Sequence, residues 1–423
     1  MIHATPAPLA ASRQGRSILA VLAQTLLLFG FTTLPTPLYG DYAQAFHFST
    51  LTLTLIYATY VAGTLSVLLL LGRLSDQMGR KPLALFAIGL AVVAAILFAL
   101  ARDATGLFVA RLVTGVAAGL SSGTVVAWLK ELHPEREEKT ASLRTVSINV
   151  LGLGVGPLLC GLLVQFAPAP FVTPYLVYIA LLVLLALTIA PACETVKNPL
   201  PLSRVALKVR VGVPAGLRAA FMAPAIANLV LYSMVGYYSA LTPGLLSHTL
   251  NVTNHAVSGV LVSELFAVSA AAVYLTARLN SRTAMLLGFA MMLPTLSLLL
   301  LAELQASLAA FVAATATGGL ALGAGYRGAI EAGNQIAPAE KRAELISMLF
   351  VCGNLGLSVP VIGVGMLRAA ASTRLADTIF AGITMLLSLI GLGFGLFSKH
   401  DRSGEAAGQA AQAAPHHHRP SRA

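Results

Sequence analysis

The chain has 423 residues, of which 57% are hydrophobic and 10% charged. A soluble domain carries roughly 25% charged residues to wet its surface, so this composition excludes a water-soluble globule of this size and calls for a lipid-covered one. The net charge of +11 raises the question of a nucleic-acid partner, which the placement of the cations answers below. Cys160, Cys193 and Cys352 are far apart, with no disulfide framework or zinc spacing, and read as small packing residues.

A bilayer span takes about 20 mostly apolar residues, and twelve such runs follow one another. The pattern predicts helices over 17–38, 50–71, 82–101, 105–129, 142–166 and 172–192, then over 219–245, 256–277, 283–302, 306–330, 343–367 and 376–397. Backbone groups in hydrocarbon need internal partners, and runs such as Leu85–Ala101 and Leu286–Leu301 lack the alternation of barrel strands. The expected fold class is therefore an all-α membrane protein, with twelve transmembrane helices in two pseudo-symmetric six-helix bundles. Arg13 and Arg16 precede the first run as in a signal peptide, but the run is span-length and no cleavage site follows it directly, so it reads as a retained helix.

With the N-terminus in the cytoplasm, the outside loops hold Arg102, Arg368 and Arg374, and Arg111 lies within a span. The other 23 of the 27 Lys and Arg fall on or near the cytoplasmic side. This positive-inside bias sets the topology, and the cations also meet anionic lipid, so nucleic acid is not needed to explain them. Residues 1–16 become a cytoplasmic tail, 17–192 the first bundle, 193–218 a cytoplasmic linker, 219–397 the second bundle and 398–423 a disordered cytoplasmic tail. The linker carries Lys197, Pro199, Pro201, Arg204, Lys208 and Arg210. His416, His417 and His418 have the composition of a metal tract, but part of a disordered tail is the simpler account.

The two halves repeat each other. Gly115-Val-Ala-Ala-Gly119 parallels Gly319-Leu-Ala-Leu-Gly323, His133-Pro134 parallels Ala337-Pro338, and Leu151-Gly152-Leu153 parallels Leu355-Gly356-Leu357, each at an offset of 204. Gly72-Arg73-Leu74-Ser75 parallels Ala277-Arg278-Leu279-Asn280 at 205, and Pro157 pairs with Pro360. Parallel six-helix repeats place a binding site at their interface, near the bilayer midplane.

Between spans two and three stands Gly72-Arg73-Leu74-Ser75-Asp76-Gln77-Met78-Gly79-Arg80-Lys81. Its glycines allow a tight turn and its charges suit a network at the cytoplasmic face. The segment resembles the loop signature of the major facilitator superfamily, with Gly72, Asp76, Gly79, Arg80 and Lys81 in place. That resemblance implies a loop that latches the two bundles in one conformation, centred on Asp76, with Glu131 at the end of span four as a partner. The second half keeps Arg278 and Arg282 but has no equivalent Asp. On span four, Arg111 precedes Gly115 and Gly119 at helical spacing; the family places an arginine here and connects it with proton transfer, whereas position alone also allows an arginine that snorkels to the outer surface. On span five, Gly152, Gly156, Pro157 and Gly161 form a hinge-like run that resembles the antiporter motif of family exporters, with Cys160 in place of one glycine.

Membrane-embedded acids are scarce, and one within a span is functional by default. Glu264, about eight residues into span eight, is the expected proton-coupling carboxyl beside Arg111; a structural partner or a polar substrate contact is the other reading. Family drug exporters often carry an acid in span one, where this chain has Gln24 and, just outside, Asp41. Gln24, Asn149, Tyr232 and Asn354 are substrate-contact candidates, although Tyr232, Tyr237 and Tyr238 also suit packing. Arg327 and Glu331, one turn apart on span ten, suit a local ion pair or gate.

The chain has no Gly-x-x-x-x-Gly-Lys-Ser/Thr loop for ATP and no catalytic cluster, so no enzyme and no cofactor or metal are expected. The expected function is alternating-access secondary transport at the cell inner membrane, with proton-coupled efflux of small amphipathic compounds ahead of transport of a sugar, organic acid or other metabolite. A non-transporting sensor or scaffold is the third reading. The expected partners are a small-molecule substrate, protons and membrane lipid, with the chain a monomer.

Overall fold

In the computed structural model, residues 8–71, 74–132, 138–197, 199–200, 212–338 and 341–397 are described. Gly72, Arg73, His133, Pro134, linker residues 201–211 and the tail with His416–His418 lie outside them.

The first apolar run folds as α1 (Pro8–Thr33). It ends earlier than its hydropathy implies, because Pro35 and Pro37 lack donors and interrupt the ladder; a 3-10 turn (Thr36–Leu38) and short α2 (Tyr39–Ala45) follow. Next come α3 (Thr50–Leu70), capped by the Ser49 side chain, α4 (Leu74–Met78), α5 (Arg80–Leu100), α6 (Ala104–Leu132), α7 (Glu138–Phe166) and α8 (Thr173–Ile189). The run expected over 219–245 is split into α9 (Arg218–Ala240) and α10 (Thr242–His248), the latter opening on Pro243. The chain continues through α11 (His255–Leu275), α12 (Ser281–Gln305), α13 (Leu308–Ile336), α14 (Arg342–Ala370) and α15 (Thr373–Phe397). Asn254, Asn280 and Ser307 cap α11, α12 and α13 through their side chains.

Among the described residues, eleven spans are long and apolar enough to cross a membrane. The twelfth, α8, has 17 residues and rises about 25 Å. The helices form two bundles of six spans. Lipid tails are as apolar as leucine, so the helices associate by close packing at small residues. A Cβ on Gly115 of α6 would strike the Tyr60 carbonyl of α3, one on Gly119 would strike Val67, and Thr64 donates to the Gly115 carbonyl at 3.1 Å. In the second bundle Gly319 and Gly323 of α13 meet the Leu265 and Ser269 carbonyls of α11 in the same way. Leu265 and Ser269 stand 205 residues beyond Tyr60 and Thr64, so the sequence repeat is also a repeat of contacts.

Two seams join the bundles. Along the first, Gly161 of α7 packs on Gly259 and the His255 carbonyl of α11, and Ser263 donates to the Gly154 carbonyl at 2.6 Å. Along the second, Gly365 of α14 packs on Thr54 of α3. Gly365 stands 204 residues beyond Gly161, and Gly259 stands 205 beyond Thr54, so a single contact is made twice about a pseudo-two-fold axis. Both contacts lie toward the face opposite the chain ends at Pro8 and Phe397. There His255 also faces Asp41 of α2, Nε2 to Oδ2 3.6 Å, and its backbone N–H donates to Gln165 of α7 at 3.0 Å.

A Cβ at Gly123 of α6 would enter open space. Gly115→Ala should therefore destabilise the chain by about 1–3 kcal/mol through overpacking, and Gly123→Ala should change it by under about 0.5 kcal/mol. An SDS-unfolding titration of the two purified variants measures the difference.

Candidate functional site

The signature loop folds around Arg80, the first residue of α5. Its guanidinium donates to both carboxylate oxygens of Glu131 at 3.2 and 2.7 Å, to the Ser75 hydroxyl at 2.6 Å, and pairs with Asp76 at 2.5 Å. Asp76 is thus a satellite, and Arg80 bridges it to Glu131. All these partners belong to the first bundle. Lys81 contributes its backbone N–H rather than its charge.

That N–H, with those of Arg80, Thr195 and Val196, is bound by Glu194, at 2.9, 3.0, 2.9 and 3.0 Å respectively. Glu194 follows α8, and sequence reading missed it, because a carboxylate in a loop carries no signal of which distant helix end it will cap. It places a negative charge at the positive end of α5. Gly79 permits this: its φ of 103° is left-handed, and a Cβ there would lie 2.8 Å from Glu194 Oε2. Burial raises the Glu194 pKa, but the four N–H bonds outweigh it and hold the carboxyl below its ordinary range. Thr195 also donates to Glu131, and the Trp128 indole donates to the Cys193 carbonyl at 3.0 Å. The chain leaving α8 is thereby tied to α5 and α6.

Arg111 of α6 is fully buried and does not snorkel. It donates to the Thr32 carbonyl at 2.6 Å and to the Tyr39 hydroxyl, and its guanidinium carbon lies 5.2, 5.6 and 5.7 Å from the ring centres of Tyr39, Tyr57 and Phe98. Its Nε is buried without a partner, and among the described residues no carboxylate pairs with it. The cation rests instead on a carbonyl exposed where α1 ends early and on three ring faces.

Gln24 of α1 is fully buried, donates weakly to Ser121 of α6 at 3.4 Å and leaves its Oε1 without a partner. Asn354 of α14 donates to its own helix at Phe350, 2.9 Å, and Asn149 of α7 is half-buried. The Tyr232 ring lies beneath Gly353 and 5.8 Å from Tyr326. Gly152 and Gly156 of the hinge-like run pack on α1 at Leu26 and Gly30, whereas the carbonyl of Pro157 and Gly161 face α11. Arg327 pairs with Glu331 at 2.7 Å and donates to the Thr276 and Leu279 carbonyls at 2.6 and 3.1 Å, closing the end of α11.

Glu264 has the expected depth on α11, but it shares its face with Val257, Val260, Ala267, Ala271 and Leu275, all exposed. Glu264 itself is half-buried and lies within electrostatic reach of the buried Tyr238 of α9. Depth along a helix is legible in hydropathy; rotation about its axis is not. Arg368 also departs from expectation. It lies in the last turn of α14 rather than in an outside loop, in a buried ion pair with Asp377.

A membrane bundle of two related six-helix halves, joined by equivalent seams and carrying this charged loop, is the architecture of a two-bundle transporter. The sequence profile of the Major Facilitator Superfamily matches residues 20–356, and the chain belongs to that superfamily of transporters. It is 32% identical over 92 residues to multidrug resistance protein MdtL of Klebsiella pneumoniae subsp. pneumoniae, covering 22% of this chain and 24% of that protein. It is 36% identical over 114 residues to methylenomycin A resistance protein of Streptomyces coelicolor, covering 27% of this chain and 24% of that protein. Each alignment spans 24% of the relative's own length.

Gly79→Ala should cost about 1–2 kcal/mol for the left-handed backbone alone, before the clash with Glu194. Because the Glu194 pKa is lowered in the fold, its stabilisation is present above the ordinary carboxylate range and is lost as pH falls through the folded value. Unfolding midpoints of the parent chain should fall on acidification over that interval more steeply than those of Glu194→Gln, as a pH series on both proteins would show.

Proposed function

We propose that this chain is a secondary transporter that works by alternating access and exports small amphipathic compounds in exchange for protons, with both termini in the cytoplasm of a cell whose inner membrane it spans. The observation that carries this reading is the pair of equivalent seams. At Gly161–Gly259 and Gly365–Thr54 the bundles meet at glycine, with only small side chains such as Thr54 and Ser263 between them, a contact that suits rocking, and alternating access is such a rocking about a fixed site. The seams lie on one face, so rocking about them would part the bundles toward the other, where the Arg80 network sits.

Export rather than uptake is suggested by the names of the two resistance proteins and by the glycine–proline run on α7. Proton exchange is suggested by Arg111, a buried cation with no carboxylate partner among the described residues. The Arg80–Asp76–Glu131 group ties α4, α5 and α6 of the first bundle together, and a latch role would need a partner in the second bundle in another conformation. In this reading the coupling does not depend on Glu264.

Proteoliposomes with an imposed pH gradient test the proposal on a panel of lipophilic cations, sugars and organic acids. Flux of the lipophilic cations should follow the gradient; flux indifferent to it would remove proton coupling, and flux confined to sugars or acids would remove drug export. Arg111→Lys should abolish gradient-driven flux in a folded protein, because an ammonium cannot span the Thr32 carbonyl and Tyr39 hydroxyl as a guanidinium does. Glu264→Gln should preserve that flux.

A further inference from the structure

The second bundle holds a buried charge cluster at the end remote from the chain termini. Arg368, in the last turn of α14, donates through one terminal nitrogen to both oxygens of Asp377 on α15, at 2.8 and 2.7 Å. The two side chains are 9% and 3% exposed. Glu303, in the last turn of α12, is 7% exposed and lies within electrostatic reach of Asp377, Arg368 and the exposed Arg374. The helices packed on α15 are α12, α14 and α9; the titratable groups they present to Asp377 are Glu303, Arg368 and Tyr237.

Two polar atoms here are left over. Arg368 Nε is buried without a partner, and the buried Tyr237 hydroxyl lies beside Asp377 with no hydrogen bond of good geometry. Two carboxyls beside one buried guanidinium, with only the exposed Arg374 as a further cation, leave an excess negative charge at a largely buried place. A buried group in that position takes up a proton rather than remain an uncompensated ion.

We propose that Glu303 and Asp377 share one exchangeable proton and so form a proton-binding site of the transporter, with Arg368 holding Asp377 and Tyr237 sensing the charge. This rests on the proton-coupled reading above. A proton fits better than a metal cation, because Arg368 already fills the cationic position beside Asp377. The site has a route to the seams. Tyr237 stacks on Phe380 of α15 with centroids 4.8 Å apart, and the adjoining Gly236 lies against the α14 backbone at Leu357. Helix α9 then leads into α10, which packs on α2 of the first bundle. When the proton leaves, the second charge draws the Tyr237 hydroxyl and Arg368 Nε closer to the carboxylates, which would shift α9.

Infrared spectroscopy of the purified full-length chain, stepped from alkaline to acid pH, reads protonated carboxyls by their carbonyl stretch. The expected result is a buried-carboxyl band that is lost in Glu303→Gln, shifts in Glu303→Asp and persists in Glu264→Gln. A band unchanged in both Glu303→Gln and Asp377→Asn overturns the proposal. If Glu303→Gln does not fold, an unmoved band in Glu303→Asp overturns it equally. The titration is repeated in sodium chloride and in choline chloride, and a signal that follows sodium at fixed pH overturns the assignment to a proton. Gradient-driven flux is measured on the same proteins. A Glu303-dependent band with flux indifferent to pH would leave the site and remove coupled export; gradient-driven flux without the band would remove the site and leave coupled export.

Discussion

Close backbone approach at glycine is the interaction on which the rest of this structure depends. In lipid no hydrophobic force draws one apolar helix to another, so contact must come from surfaces that fit. Helix α7 shows this best, because it carries two such surfaces. Gly152 and Gly156 let it lie against α1 within its own bundle, while Gly154 and Gly161 let it lie against α11 of the other. The same residue type builds each bundle and joins the pair, and the join recurs at Gly365 and Thr54.

Charge is handled in three ways around that frame. At the face bearing the termini, Arg80 gathers Asp76 and Glu131, while Glu194 closes the start of α5. The second bundle has no Asp at the corresponding place and uses helix ends instead: Arg327 donates to the carbonyls at the end of α11, and Arg282 to those of Gly395 and Leu396 at the end of α15. These carbonyls carry the negative end of the helix dipole. Arg111, deep in the first bundle, has no carboxylate partner among the described residues and is held by the Thr32 carbonyl at the end of α1, one hydroxyl and aromatic faces. A cation held so loosely in charge terms is poised to respond to a charge change, which an arginine already neutralised by an acid would not do.

Much of the fold was legible in the residues, and the reason is that a bilayer imposes strong rules. Span length, helical state and the repeat of Gly115 and Gly119 at Gly319 and Gly323 follow from hydropathy and from the need to satisfy the backbone internally. The breaks at Pro35, Pro37 and Pro243 were also written in the chain, although hydropathy alone carried the helix past them. The site was less legible. The Glu131–Arg80 pairing lies between positions 51 residues apart, and Glu194 reaches the α5 start from more than a hundred residues away. Nothing local to either residue encodes such a pairing.

The sequence by itself determined how many helices cross the membrane, in what order, and that the second half repeats the first. Those properties depend on composition and on spacing along one axis. Only the tertiary structure decided which way each polar residue points and what it meets, because rotation about a helix axis is set by the packing of its neighbours. Glu264, at the depth a coupling acid needs, stands half-buried on a face of α11 that carries Val260 and Ala267, both exposed. Asp377, which looks like an ordinary residue near a helix end, was turned inward onto Arg368, with Glu303 buried within electrostatic reach of both.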